Sequence, residues 1–146
     1  MVAIGASTGG PEAVAQVLSS LGRGLPAPVV VVQHIGSDFT VGLSDWLRSK
    51  TGLAVGVPAA GERPAPGRVY VAAGDDHLVL DMDRRFAYTA EPVDSPYRPS
   101  VDVFFASAAA WRDRGVGVLL TGMGADGARG LAALRKRGWH TIAQDA

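Results

Sequence analysis

The 146-residue chain contains no cysteine. That removes disulfides, thiolate metal sites and a cysteine nucleophile, and it leaves the redox compartment unread. No charge of either sign is in excess, since 14 Lys and Arg balance 14 Asp and Glu. Without a basic field, nucleic acid is not expected as the main partner. Twelve of the 14 cations are arginines, scattered without a run, as solvated surface charges are. No apolar stretch approaches the ~18 residues that a membrane-spanning helix needs, so no membrane insertion is expected. The N-terminus lacks the basic flank and long apolar stretch of a signal peptide, which makes a cytoplasmic protein the expectation. The remainder is globular in character, with 47% hydrophobic residues in a length suited to one domain with a buried core.

Short Val-rich runs alternate with helix-like segments. Val2–Ile4 reads as a strand and Gly10–Leu21 as a helix, with Pro11 in the first turn where a missing N–H costs nothing. Val29–Val32 does not alternate in polarity, the mark of a parallel strand covered on both faces. Phe39–Lys50 fits a helix with Asp38 as N-cap and Phe39, Leu43, Trp46 and Leu47 on one face. Leu53–Val57 is a short strand. Val69–Ala73, a turn at Gly74-Asp75-Asp76 and His77–Asp81 read as a β-hairpin, with Phe86–Thr89 as a third strand. Ser100 is a good N-cap for a helix running to about Trp111, and Asp102 suits its first turn. Gly115–Leu120 is a second buried strand, Ala128–Arg137 a helix and Trp139–Ala143 a last strand. The pattern predicts an α/β, doubly wound, three-layer fold with a mostly parallel sheet and an antiparallel hairpin insertion.

Ser7, His34 and Asp126 each follow the C-terminal end of a strand expected to be parallel. In such a sheet those ends share one edge, where ligands bind. A hydroxyl, an imidazole and a carboxylate thus converge from distant parts of the chain. Serine at neutral pH needs a base to take its proton, and the base needs a carboxylate to fix its tautomer. Backbone N–H groups at the Thr8–Gly10 and Met123–Asp126 loop-to-helix junctions suit an oxyanion hole. Each residue also has a plainer reading. Ser7 fits a helix cap, His34 an ordinary loop histidine, and Asp126 a cap for the helix that follows it. His77 and His140 begin strands, which leaves His34 as the base by position.

Two motifs compete. Gly5-Ala6-Ser7-Thr8-Gly9 fits the G-x-S-x-G nucleophile elbow, although α/β-hydrolases carry the acid before the histidine. Gly122-Met123-Gly124-Ala125-Asp126-Gly127 fits the dinucleotide fingerprint G-x-G-x-x-G. There, however, Asp126 would set a carboxylate against a pyrophosphate.

The stretches "AIGASTGGPEA", "VVVVQHI", "YRPSVDVFFASAA", "GVLLTGMGADGARGL" and "TIAQD" together resemble the catalytic domain of the chemotaxis protein-glutamate methylesterases. The resemblance runs from residue 2 to residue 145. It implies hydrolysis of glutamate methyl esters on the cytoplasmic helices of chemoreceptors, release of methanol, deamidation of receptor glutamines, and no metal or cofactor. By motif position it makes Ser7 the nucleophile, His34 the general base and Asp126 the orienting carboxylate. Thr8 and Gly9 fall beside the nucleophile, and Met123 matches a residue whose N–H helps to form the oxyanion hole. Arg98 has two readings, steering of an acidic receptor helix or positioning of its own loop. Gly36-Ser37 stands where relatives more often carry a proline, which alters the loop around His34 but not the base. The resemblance also sets an expectation of one catalytic domain over 1–146, without the receiver domain that brings phosphorylation control and short of C-terminal elements. The alternatives are a silent receptor-binding module and, further off, a nucleotide-binding α/β domain.

Overall fold

The computed structural model describes residues 1–111, 113–120 and 124–145. Six strands form one parallel sheet: β1 (Val2–Ala6), β2 (Val29–Gln33), β3 (Ala54–Gly56), β4 (Arg68–Val71), β7 (Val116–Leu119) and β8 (His140–Ala143). Their order is β3-β4-β2-β1-β7-β8, with β1 and β2 at the centre. Two further strands, β5 (His77–Leu80) and β6 (Phe86–Thr89), make a separate antiparallel hairpin. The helices are α1 (Gly10–Leu21), α2 (Ser37–Thr51), α3 (Val101–Ala108) and α4 (Ala128–Lys136).

Alternate residues of the central strands feed two cores. Ile4, Val29, Val31, Val69 and Val71 face α1 and α2, packing with Val14, Leu18 and Leu47. Ala3, Val30, Val32 and Tyr70 face α3, α4 and the hairpin, packing with Leu78, Phe86, Phe104, Phe105 and Leu134. Both faces are covered, which is why β2 reads as an unbroken apolar run. Each fully buried side chain of this size contributes about 1.5–3 kcal/mol before the entropy of ordering is subtracted. The three-layer architecture is therefore the one that the strand and helix pattern predicts.

Two local expectations are corrected. Val69–Ala73 does not pair with His77–Asp81. As β4 it lies between β2 and β3, parallel to both, because Val69, Tyr70 and Val71 are buried and a two-sided apolar strand belongs inside a sheet. The predicted hairpin turn is instead where the chain leaves the sheet and passes tightly under α2, since a Cβ at Gly74 would stand 2.6 Å from Ser37 N. The hairpin forms one strand later, with His77 opposite Thr89 and Leu80 opposite Phe86. Helix α2 begins at Ser37 behind Gly36, with Asp38 inside its first turn and no side-chain cap. Its inner face is Thr40, Leu43, Ser44 and Leu47, so Phe39 and Trp46 turn outward, 66% and 37% exposed.

Candidate active site

Strand register brings the first two candidates together. Ala6 pairs with Gln33 at the ends of β1 and β2, so Ser7 and His34 are the next residues on neighbouring strands, a spacing of about 4.8 Å between chains. The His34 N–H donates to Ala6 O at 3.0 Å. Gln33 Nε2 donates to Ser7 O at 2.8 Å and reaches His34 O at 3.4 Å. After Ser7 the chain turns sharply, with Gly10 N donating to Ser7 O at 2.8 Å. Gly9 is left-handed at φ 76°, a conformation open to glycine.

Gly9, not Ser7, is the N-cap of α1, and no side chain caps that helix. The capping reading of Ser7 is thereby removed. Among the described residues its Oγ has no hydrogen-bond partner, His34 included. The Thr8 and Gly9 N–H groups likewise donate to none of the described residues, and Pro11 has no N–H to offer. Unclaimed donors at a helix N-terminus suit a developing negative charge.

His34 Nε2 donates to Asp126 Oδ2 at 2.7 Å, with the two side chains only 14% and 4% exposed. A carboxylate can only accept, so Nε2 carries the proton. Nδ1 is left with a free lone pair, buried and without a partner among the described residues. The ring stacks on Tyr97, with centroids 4.5 Å apart and planes at 16°.

Asp126 does not cap its own helix, for α4 starts behind Gly127 without a side-chain cap. The carboxylate instead crosses to the N-terminus of α3. Oδ1 accepts from Ser100 Oγ at 2.8 Å and Asp102 N at 3.0 Å, and Oδ2 accepts from Val101 N at 2.7 Å as well as from His34. Burial alone would push the carboxyl up. The donors from His34, Asp102, Val101 and Ser100 outweigh that and hold it at about 2. The exchange is mutual, because Asp102 Oδ1 in the first turn of α3 accepts from Gly130 N in α4 at 2.6 Å.

Behind this pair lies a buried histidine. His77 is 0% exposed. Its Nδ1 accepts the Ser100 N–H at 3.0 Å, so the other nitrogen is protonated and donates to Pro92 O at 3.2 Å. Arg98 Nη2 donates to Ala90 O at 2.7 Å and Pro92 O at 3.3 Å, and Nη1 lies 3.5 Å from Asp76. Met123 lies outside the described residues, and His140 starts β8 at the opposite edge of the sheet. An apolar groove of about 550 Å³ between α1 and α2 runs up to Gly9 and Ile35, walled by Pro11, Phe39, Leu43 and Trp46.

Residues 2–146 match the family described as CheB methylesterase. The chain belongs to that family. It is 53% identical over 146 residues to the protein-glutamate methylesterase/protein-glutamine glutaminase 2 of Burkholderia orbicola, covering 99% of this chain and 44% of that protein. It is 51% identical, with the same coverage, to the namesake from Pseudomonas syringae pv. syringae. The crystal structure of the Thermotoga maritima CheB methylesterase catalytic domain superposes with a TM-score of 0.92 at 38% identity, over 99% of this chain and 78% of that one. The chain thus spans less than half the length of the Burkholderia and Pseudomonas methylesterase/glutaminase relatives.

Three residues around this candidate site in the CheB-family chain escape a reading of the sequence alone. Gln33 carries a signal in hindsight, a polar side chain closing the apolar run Val29–Val32. His77 and Tyr97 carry none, because their positions depend on how the hairpin and the loop before α3 fold back over Asp126.

Proposed function

We propose that the chain is the hydrolytic unit of a protein-glutamate methylesterase. Its substrates are glutamate methyl esters on the cytoplasmic helices of chemoreceptors, and it also deamidates receptor glutamines. The observation that carries this reading is the buried His34–Asp126 pair at 2.7 Å, beside a serine whose hydroxyl bonds to none of the described residues. Ser7 Oγ attacks the ester carbonyl as His34 Nδ1 takes its proton. Asp126 stabilises the imidazolium through Nε2. The oxyanion is received by N–H groups of Thr8 and Gly9, with Met123 assigned by family resemblance. His34 returns the proton to the methoxy oxygen, methanol leaves, and a C–O bond joins the acyl group to Ser7. Water then gives its proton to His34 and attacks the acyl-enzyme, which releases the carboxylate and restores Ser7. With glutamine the leaving group is ammonia, and the remaining steps are the same. The open groove beside Gly9 suits a substrate that is a side chain on a protein surface.

The test is methanol release from methylated receptor membranes by the protein and by its Ser7→Ala variant. The variant is expected to lose release. Retention of parental turnover overturns the assignment of Ser7, and a parent that binds receptors without releasing methanol points to the silent docking module instead.

A further inference from the structure

We infer that Gln33 is a positioning residue whose carboxamide sets the nucleophile and the base in register with one another. This rests on the hydrolase reading above. Gln33 ends β2 and is 2% exposed. One nitrogen, Nε2, serves the carbonyl of Ser7 at 2.8 Å and the carbonyl of His34 at 3.4 Å. Both acceptors are main-chain oxygens of the two residues that exchange the proton. The amide orientation follows from this, since only the NH₂ end can satisfy two carbonyls.

The side chain is also held from behind. Oε1 is buried without a partner among the described residues, and it lies against Gly10. A Cβ at Gly10 would collide with Oε1 and stand 2.9 Å from Cδ. Glycine at position 10 therefore leaves the room that Gln33 needs to reach both loops. A side chain placed only for packing would be apolar here, because a buried amide with an orphaned oxygen costs stability. The Ser7 turn keeps its own bond from Gly10 N at 2.8 Å, so the fold does not depend on Gln33 to close it. What Gln33 adds is the link from that turn to the backbone carrying His34. Proton transfer is sensitive to such placement, and a displacement of about 1 Å can cost about 10²-fold in rate.

The experiment measures kcat and KM for methanol release, labelling of Ser7 by a fluorophosphonate, and melting temperature, in the full-length protein and in Gln33→Met and Gln33→Glu. Methionine keeps the length and removes the donors. Glutamate keeps the shape and turns acceptors toward both carbonyls. The expected result is a kcat lower by about 10- to 100-fold in Gln33→Met, with KM held and labelling slowed in parallel. Gln33→Glu is expected to lose more, while the melting temperature of Gln33→Met stays within a few degrees of the parent. Parental kcat in a folded Gln33→Met protein overturns the inference, and so does a loss that only tracks the fraction unfolded. A parent that neither releases methanol nor labels at Ser7 overturns the hydrolase reading itself, and with it this one.

Discussion

Replacing Asp126 by asparagine exchanges one oxygen for an NH₂ group at a site where each oxygen already accepts from two donors. Oδ2 receives His34 Nε2 and Val101 N, and Oδ1 receives Ser100 Oγ and Asp102 N. With the amide nitrogen in the Oδ2 position, His34 must turn acceptor at Nε2 and carry its proton on Nδ1, the wrong tautomer for the proton transfer proposed from Ser7. The Val101 N–H is then orphaned. In the other orientation the Ser100 hydroxyl can reverse, but the Asp102 N–H is orphaned and the imidazolium loses its counter-charge. Either way one helix-start N–H loses its acceptor, at about 1–3 kcal/mol, and the remaining bonds lose their charge assistance. A total of about 3 kcal/mol corresponds to a melting temperature lower by roughly 6–12 °C in a domain of this size. The fall in kcat for methanol release should be roughly 10³–10⁴-fold.

The acid limb of stability should change as well. The folded carboxyl sits at about 2, below the ~3.9 of an unfolded aspartate. Its contribution of about 3 kcal/mol is thus complete above pH ~4 and is lost as pH falls from about 4 to 2. The Asp126→Asn variant has no such contribution to lose, so parent and variant melting curves should draw together as the pH approaches 2. A variant within tenfold of parental kcat, or one with unchanged melting temperature at pH 7, would refute the reasoning.

Tyr97→Leu removes the ring stacked on His34, worth about 0.5–1.5 kcal/mol. It should lower kcat by about tenfold or less with KM little changed, as steady-state kinetics can show. Gly130→Ala puts a Cβ 2.6 Å from Phe105 Cβ and 3.1 Å from Asp102 Cα; forcing α3 and α4 apart should cost about 1–3 kcal/mol in urea unfolding. Arg98→Ala removes the donor to Ala90 O, leaves Pro92 O to its remaining donors, His77 among them, and releases a half-exposed partner, Asp76. The geometry favours the loop-positioning role, so the salt dependence of receptor KM should stay as in the parent. A flattened salt response would restore the steering role.

The layered architecture is legible because β1, β2 and β7 read as short apolar runs buried on both faces, and α1 as a periodic helix opened by Pro11. β4 carries the same signal in Val69-Tyr70-Val71. There the polar Gly74-Asp75-Asp76 stretch imitates a hairpin turn, and only tertiary contact shows that it passes under α2. Helix α2 misleads by one face because Phe39 and Trp46, the residues that most suggest a core stripe, wall an open groove. That Ser7 and His34 lie side by side and that Asp126 reaches His34 is legible from strand ends, since a parallel sheet collects those ends; their proposed roles come from the family resemblance. Their surroundings are not legible in that way. That Asp126 would bind the start of α3 rather than cap α4 depends on how the two helices dock, and no local spacing encodes it. The places of His77 and Tyr97 depend on the same docking.

The exchange of carboxylates between the starts of α3 and α4 has a consequence for relatives that have drifted out of catalysis. Asp126 ties two helices together, so a sequence that lost its chemistry would still be held to this residue by the need to stay folded. The Ser7 hydroxyl bonds to no other described residue, so a drifting copy can shed it without breaking a hydrogen bond among the described residues. Across a set of related sequences, an aspartate at this position would say that the two helices are still joined. On the proposed mechanism, a serine at the first loop would be kept only where the hydrolysis is still in use.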